Sequence, residues 1–125
     1  MDSKIINPEG QFENWESNLL HELIKDEISD ALGQTIVFEN EQLRVWSTHL
    51  QPGGCIPFHR HTTNYSWVCL TDGKAISRYE NGKICEITYQ RGDLSYYDHN
   101  VKKDLVHDLE NVGETVLEFV TTEYK

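Results

Sequence analysis

No run of about eighteen apolar residues occurs in the chain, so no segment qualifies as a membrane-crossing helix. The opening residues, MDSKIINPEGQFENWESN, lack the apolar stretch of a secretory leader. Cysteine is scarce: Cys55, Cys69 and Cys85 show no CxxC spacing, and an odd number cannot all pair within one chain. Basic residues are outnumbered, 11 Lys and Arg against 21 Asp and Glu, for a formal net charge of -10. That balance repels phosphate backbones and anionic membrane surfaces, and no basic cluster offsets it. These absences predict a cytoplasmic protein in a reducing compartment, without nucleic-acid or membrane partners. Linkers, repeats and low-complexity stretches are also missing, and 125 residues hold one core rather than two.

What is present falls into two patterns. From Asn14 to Leu32 the apolar residues Trp15, Leu19, Leu20, Leu23, Ile24, Ile28 and Leu32 recur at helical spacing, which predicts one amphipathic helix. Asn14 is its expected N-cap and Gly33 its expected C′ residue. The tract HELIKDEISD mixes charge signs and reads as the solvated face of that helix. After Gly33 the period shortens to β-type runs: TIVFE, QLRVWSTHL, YSWVCLT, KAISRYE, KICEITYQ, DLSYY and ETVLEFVTTEY. Turns are expected at Glu39–Glu41, Thr71–Gly73 and Glu80–Gly82, joining antiparallel meanders. Residues 1–33 thus form an N-terminal extension, and residues 34–125 an all-β sandwich or barrel of about eight strands.

The chemistry concentrates in PGGCIPFHRHTTNYSWVCLTDG. Side chains two apart in a strand share a face, so His59 and His61 point the same way and Arg60 the other. Two neighbouring imidazoles buried together lose hydration and repel when protonated. A shared metal ion removes both penalties, and neutral imidazole suits iron, zinc, nickel or copper. His107, in a segment where it alternates onto one face with Leu105 and Leu109, offers a third ring.

Gly53, five residues, then His59-x-His61 resembles the first motif of the cupin superfamily; His107-x3-Asn111 resembles the end of its second. Gln90-Arg91-Gly92-Asp93 looks like the Pro-Gly-Asp turn that opens the second motif, with Gln90 in the proline position. The resemblance runs from about Thr35 to Tyr124 and implies a cupin-type jelly-roll β-barrel, here with one N-terminal amphipathic α-helix. It implies one divalent metal ion (Fe, Zn, Ni or Cu) on His59, His61 and His107. The chain departs from the pattern twice: Tyr65 and Ser66 stand where the motif has glutamate, and four extra residues separate Gly92 from His107. Without the carboxylate, a three-histidine ion keeps its full charge and an open position, which favours a small anionic ligand. Thiol dioxygenases and a diketone-cleaving dioxygenase are similar in their three-histidine iron. VFENEQLRVW, HRH and LTDG resemble small single-domain cupins linked to β-alanine degradation. The implied function is a metal-dependent, dioxygenase-like oxidoreductase acting on a small acidic or carbonyl compound; the alternative is a non-catalytic binding or sensing module. A homodimer is expected from the resemblance.

Tyr65, the candidate catalytic residue, has three roles open to it: ligating the metal, donating to a bound substrate, or filling the barrel. Trp67 and Cys69 share its face. Cys55 and Cys69 are read as small hydrophobes before soft ligands. His49 and His99 are read as peripheral, and His21 has no visible partner. Arg44, Arg60, Arg78 and Arg91 are the candidates for gripping a carboxylate. Pocket shape depends on which of Phe58, Tyr65, Trp67, Tyr96 and Tyr97 point inward.

Overall fold

A computed structural model describes residues 1–24, 28–102 and 105–125. Ten strands are present among them: β1 (Asp2–Asn7), β2 (Thr35–Glu39), β3 (Leu43–Leu50), β4 (Cys55–His61), β5 (Asn64–Cys69), β6 (Gly73–Arg78), β7 (Ile84–Tyr89), β8 (Leu94–Tyr97), β9 (Leu105–Asn111) and β10 (Leu117–Tyr124). They form two five-stranded antiparallel sheets, ordered β1-β7-β6-β9-β4 and β2-β3-β10-β5-β8. The all-β jelly roll is therefore present, but the connections differ from simple meanders. Only the turns at Asn40 and Asn81-Gly82 close hairpins, β2-β3 and β6-β7; Thr71–Gly73 carries the chain from one sheet to the other. Asn40 fixes its hairpin by accepting from the backbone N–H groups of Gln42 and Leu43 at 2.8 and 2.9 Å.

The expected helix is much shorter. Helix α1 spans Ser17–Leu23; Asn14 ends a 3-10 turn (Phe12–Asn14), and the residue capping α1 is Glu16, without a side-chain cap. Residues 25–27 of the expected helix lie outside the described residues. Ile28 to Leu32 is not helical: Ser29 forms a parallel bridge with His59, and the Arg60 N–H donates to the Ser29 carbonyl at 2.7 Å. Gly33 is needed for close approach instead of capping, since a Cβ there would lie 2.7 Å from Cβ of Trp46. Helical periodicity misled because a non-helical segment crossing a sheet also buries a residue every few positions, here Ile28 partly and Leu32 fully.

The segment from Asp2 to Leu23 adds edge strand β1 to the first sheet and then covers that sheet's outer face with Trp15 and α1. β1 pairs with β7, a strand that alternation alone did not reveal because five of its six residues are exposed. Asn7 donates to the carbonyls of Gln11 and Gly82 at 2.8 Å, and Trp15 Nε1–H donates to Gly82 at 2.9 Å. Gly82 has φ +95°, so the Asn81-Gly82 turn is both the hairpin and the anchor for this cover. Trp15 then stacks on Phe58 at 6.1 Å and packs with Val106, Leu19, Leu20 and Leu23. The apolar stripe of α1 thus covers the back of β4 and β9. The opposite face of these strands lines the core, with Leu50, Cys69, Ala75, Leu109, Leu117 and Phe119. Cys69 and Cys85 are buried among them and Cys55 is exposed; all three thiols are free.

Candidate metal centre

Strand β4 carries an irregularity that determines where its histidines point. Its pairing with β9 shifts by one residue between Ile56↔Leu109 and His59↔His107. Without the shift, Ile56 facing inward would send His59 outward; the bulge at Pro57 and Phe58 reverses the alternation. Pro57 has no N–H to contribute to the ladder and fits the bulge. Phe58 consequently packs outward under Trp15, while His59 and His61 face the barrel with Ile56. The Pro57 carbonyl also accepts from His59 Nδ1–H at 2.9 Å.

Three rings converge as a result. His59, His61 and His107 have ring centroids 4.7 Å apart in every pairing. One nitrogen from each lies within 4.8 Å of the others, and among the described residues no Cys, Asp or Glu completes such a group with them. The partners assign the protons. A carbonyl only accepts, so His59 carries hydrogen on Nδ1 and leaves Nε2 bare. His107 Nδ1–H donates at 2.7 Å to Ser77 Oγ, whose own proton goes to the Asp108 carbonyl at 2.7 Å. His107 Nε2 is therefore also bare, and His61 Nε2–H donates to it at 2.8 Å. That leaves His61 Nδ1 buried with no partner among the described residues, an exception that buried polar atoms rarely show. With the His61 proton moved from Nε2 to the unpartnered Nδ1, three neutral imidazoles with converging nitrogens fit a divalent first-row ion, and the other two already have the outer hydrogen bond typical of ligating histidine.

Burial holds all three rings neutral. Desolvation is the largest cause of each lowered pKa; neighbouring rings add repulsion at His61 and His107, and His61 is pushed down to about 2. His107 keeps some open surface, but that surface faces the cavity. In the unfolded chain the rings take up protons below about pH 6.5, where the folded metal-free protein does not. The unfolded state then binds more protons, so stability falls as pH drops through that window. The expected slope approaches roughly 1.4 kcal/mol per pH unit for each ring. Urea midpoints of metal-free protein at neutral and mildly acidic pH check this, and equal midpoints would refute it.

The histidines open into a cavity of about 80 Å³. Tyr65 and Trp67 from β5 line it as alternation predicts, with Thr48, Tyr89, Leu109, Phe119 and Thr121. Tyr65 is buried, its ring 4.7 Å from His61 and stacked on Tyr97 at 4.9 Å, and burial raises its pKa. Trp67 meets Tyr89 and Phe119 edge-on at 5.7 and 5.8 Å. Of the other aromatic candidates, Tyr97 is buried and Tyr96 exposed. None of the four candidate arginines lines the cavity. Arg44 is paired with Glu39 and Glu123, and Arg78 with Asp108 and Glu110. His49 is exposed and paired with Glu118; His21 and His99 lie off the cavity. Asn111, buried, donates to the Leu50 and Thr115 carbonyls and is structural.

Residue reading missed Ser77, Tyr79 and Glu123. Tyr79 stacks on His107 at 5.4 Å. Glu123 is the buried carboxylate directly across from Tyr65, yet it accepts from Trp46 Nε1–H, Thr63 Oγ1–H and Arg44 and does not join the histidines. Strand pairing, rather than spacing along the chain, brings these residues near the site.

The sequence matches the Cupin domain family over residues 46–123, which contain both histidine motifs. The chain is a cupin. Among solved structures, this cupin is similar to a cupin domain from Bordetella pertussis, with 25% identity and a TM-score of 0.65 over 81% of this chain and 99% of that one. An uncharacterized conserved protein with a double-stranded β-helix domain from Klebsiella pneumoniae matches at 20% identity and TM-score 0.58, over 85% of each chain. An RmlC-like cupin family protein from Methanocaldococcus jannaschii matches at 15% identity and TM-score 0.57, over 80% and 84%. The last two likenesses concern fold alone. No curated protein matches the chain. Among the described residues no helix is long and apolar enough to cross a membrane.

Proposed function

We propose that this cupin holds one divalent ion, Fe, Zn, Ni or Cu, on His59, His61 and His107 and acts as a dioxygenase-like oxidoreductase on a small acidic or carbonyl compound. The observation that carries the reading is the convergence of three neutral imidazoles, two buried and one half-buried, on one cavity. Such an ion supplies a Lewis acid for substrate oxygens and, in the iron case, access to oxygen chemistry.

The lining defines the ligand. Among the described residues no arginine, lysine, aspartate or glutamate lines the cavity, so the countercharge these walls offer an anionic head is that of the ion on the histidine cluster. Ile56, Trp67, Leu109 and Phe119 offer the remainder an apolar, water-poor wall. Thr48 and Thr121 offer hydroxyls. A ligand of few heavy atoms, with one negative end and a largely apolar body, matches these walls. Tyr65, wedged between His61 and Tyr97, is assigned the hydrogen-bond donor to the bound head. The lack of a carboxylate base among the described lining residues favours, as a second reading, a module that binds its ligand without turnover. Incubating Fe(II)-loaded protein with a panel of small carboxylic acids and carbonyl compounds separates the two. Oxygen uptake with product formation supports the enzyme; a ligand bound and recovered unchanged supports the module.

The same reading extends to a cytoplasmic homodimer. Three free cysteines suit a reducing compartment. β2 is an edge strand exposed along its whole length, and Ile36, Val37 and Phe38 lie on it uncovered. Proteins seldom leave such an edge bare, and a second copy covers it through a two-fold contact. Light scattering is expected to give a dimer at micromolar concentration and a monomer for Phe38→Glu. A monomeric parent protein would remove the dimer.

A further inference from the structure

Ser77 is fully buried on β6, and a buried hydroxyl is costly unless its hydrogen-bonding capacity is used. Here the proton is given to the Asp108 carbonyl and a lone pair receives His107 Nδ1–H, both at 2.7 Å. The register explains the reach: Ala75 pairs with Asn111 and Tyr79 bridges His107, so Ser77, between them on the interior face, lies diagonal to the imidazole. The Asp108 backbone is itself fixed, because its carboxylate accepts from the Arg78 N–H at 2.8 Å and the Arg78 guanidinium at 2.9 Å. Tyr79 covers one face of the His107 ring.

We propose that Ser77 is a positioning residue for the metal centre, holding His107 in the tautomer and orientation that present Nε2 to the cavity. This inference rests on the reading of the three histidines as metal ligands. The three rings are not held alike. His59 is oriented by a backbone carbonyl, which substitution leaves in place, and His61 has no partner on Nδ1 among the described residues. Of the three, His107 alone has the nitrogen turned away from the cluster held by a side chain. With alanine at position 77 the ring loses its acceptor, and a proton on Nε2 removes the lone pair that a metal needs. Alanine differs from serine there by one oxygen, and its neighbour Ala75 is also fully buried, so the packing tolerates the change.

The test uses the full chain and Co(II) alone as probe, titrated by its visible absorption. Ser77→Ala is expected to weaken Co(II) binding by roughly 10–100-fold and to alter the absorption bands; Ser77→Thr, which retains the hydroxyl, is expected to recover affinity. Nitrogen-15 NMR of the metal-free parent is expected to find the His107 proton on Nδ1, and Ser77→Ala to lose that preference. Parent protein with the proton on Nε2, or Ser77→Ala binding Co(II) as the parent does, overturns the proposal. If the parent binds no Co(II), the metal reading fails, and the His107 tautomer in parent and variant still decides whether Ser77 positions the ring. If Ser77→Ala does not fold, the parent tautomer and the Ser77→Thr affinity decide.

Discussion

Replacing His107 with alanine is expected to weaken divalent-metal binding by more than the roughly 10–100-fold that loss of an outer hydrogen-bond partner costs. His107 contributes the nitrogen on which the others converge: its Nε2 lies 2.8 Å from that of His61, and its ring is 4.7 Å from that of His59. Two imidazoles remain in the variant, on one strand and one residue apart, and no Cys, Asp or Glu among the described residues stands by to replace the third. His61 meanwhile loses its one ring partner, so neither of its nitrogens is satisfied. Zinc titration of parent and variant, followed by competition with a chromophoric chelator, measures the effect. Equal affinity would mean that the third histidine plays no part in holding the ion.

The second large effect concerns stability. Arg78→Met is expected to cost about 3–5 kcal/mol, the usual penalty for leaving one partner of a buried ion pair alone. Asp108 is 1% exposed, and its carboxylate meets the Arg78 guanidinium at 2.9 Å, with that arginine only 13% exposed. Burial outweighs the attraction of Arg78 and raises the Asp108 carboxyl to about 6, still ionised at neutral pH. Removing the cation leaves that charge with a single backbone N–H. A domain of this size is then expected to melt roughly 10–20 °C lower. The pH dependence has a defined sign. A carboxyl whose folded pKa is raised binds its proton more readily when folded, so acid relieves the penalty. The gap between parent and variant should narrow from pH 7 towards pH 5, and the histidine contribution cancels in that difference. Adding Asp108→Asn should restore part of the loss. A gap that is small, or that widens in acid, contradicts this account.

Seven of the nine strands described after Gly33 were legible as runs because alternation is a local property, and TIVFE begins and ends where β2 does; β4 and β9, which carry the histidines, were not among those runs. His59, His61 and His107 were legible because the family's spacing marks them, but the reason they face inward was not. Strand alternation counted from Ile56 puts His59 on the wrong side, and only the bulge at Pro57 and Phe58 corrects it. The N-terminal segment misled because its apolar residues recur at helical steps, while the backbone from Ile28 to Leu32 is not helical, bridging His59 at Ser29 and bending at Leu32. Ser77 lies 30 residues from His107, and no motif links them; antiparallel pairing of β6 with β9 does. Tyr65 shows the same limit from the other side. Spacing put it in the place of a carboxylate, and the fold surrounds it with His61, Tyr97 and, in the facing register, Glu123. The acidic group that pairs opposite Tyr65 is thus already engaged by Trp46, Thr63 and Arg44.

Everything proposed about chemistry depends on one ion held by three imidazoles. Elemental analysis of protein purified under native conditions without chelator, alongside the His107→Ala variant, tests that most directly. About one first-row divalent ion per chain in the parent, and loss of it in the variant, is the predicted result. A parent chain that carries no such ion and takes none up from micromolar solution contradicts it.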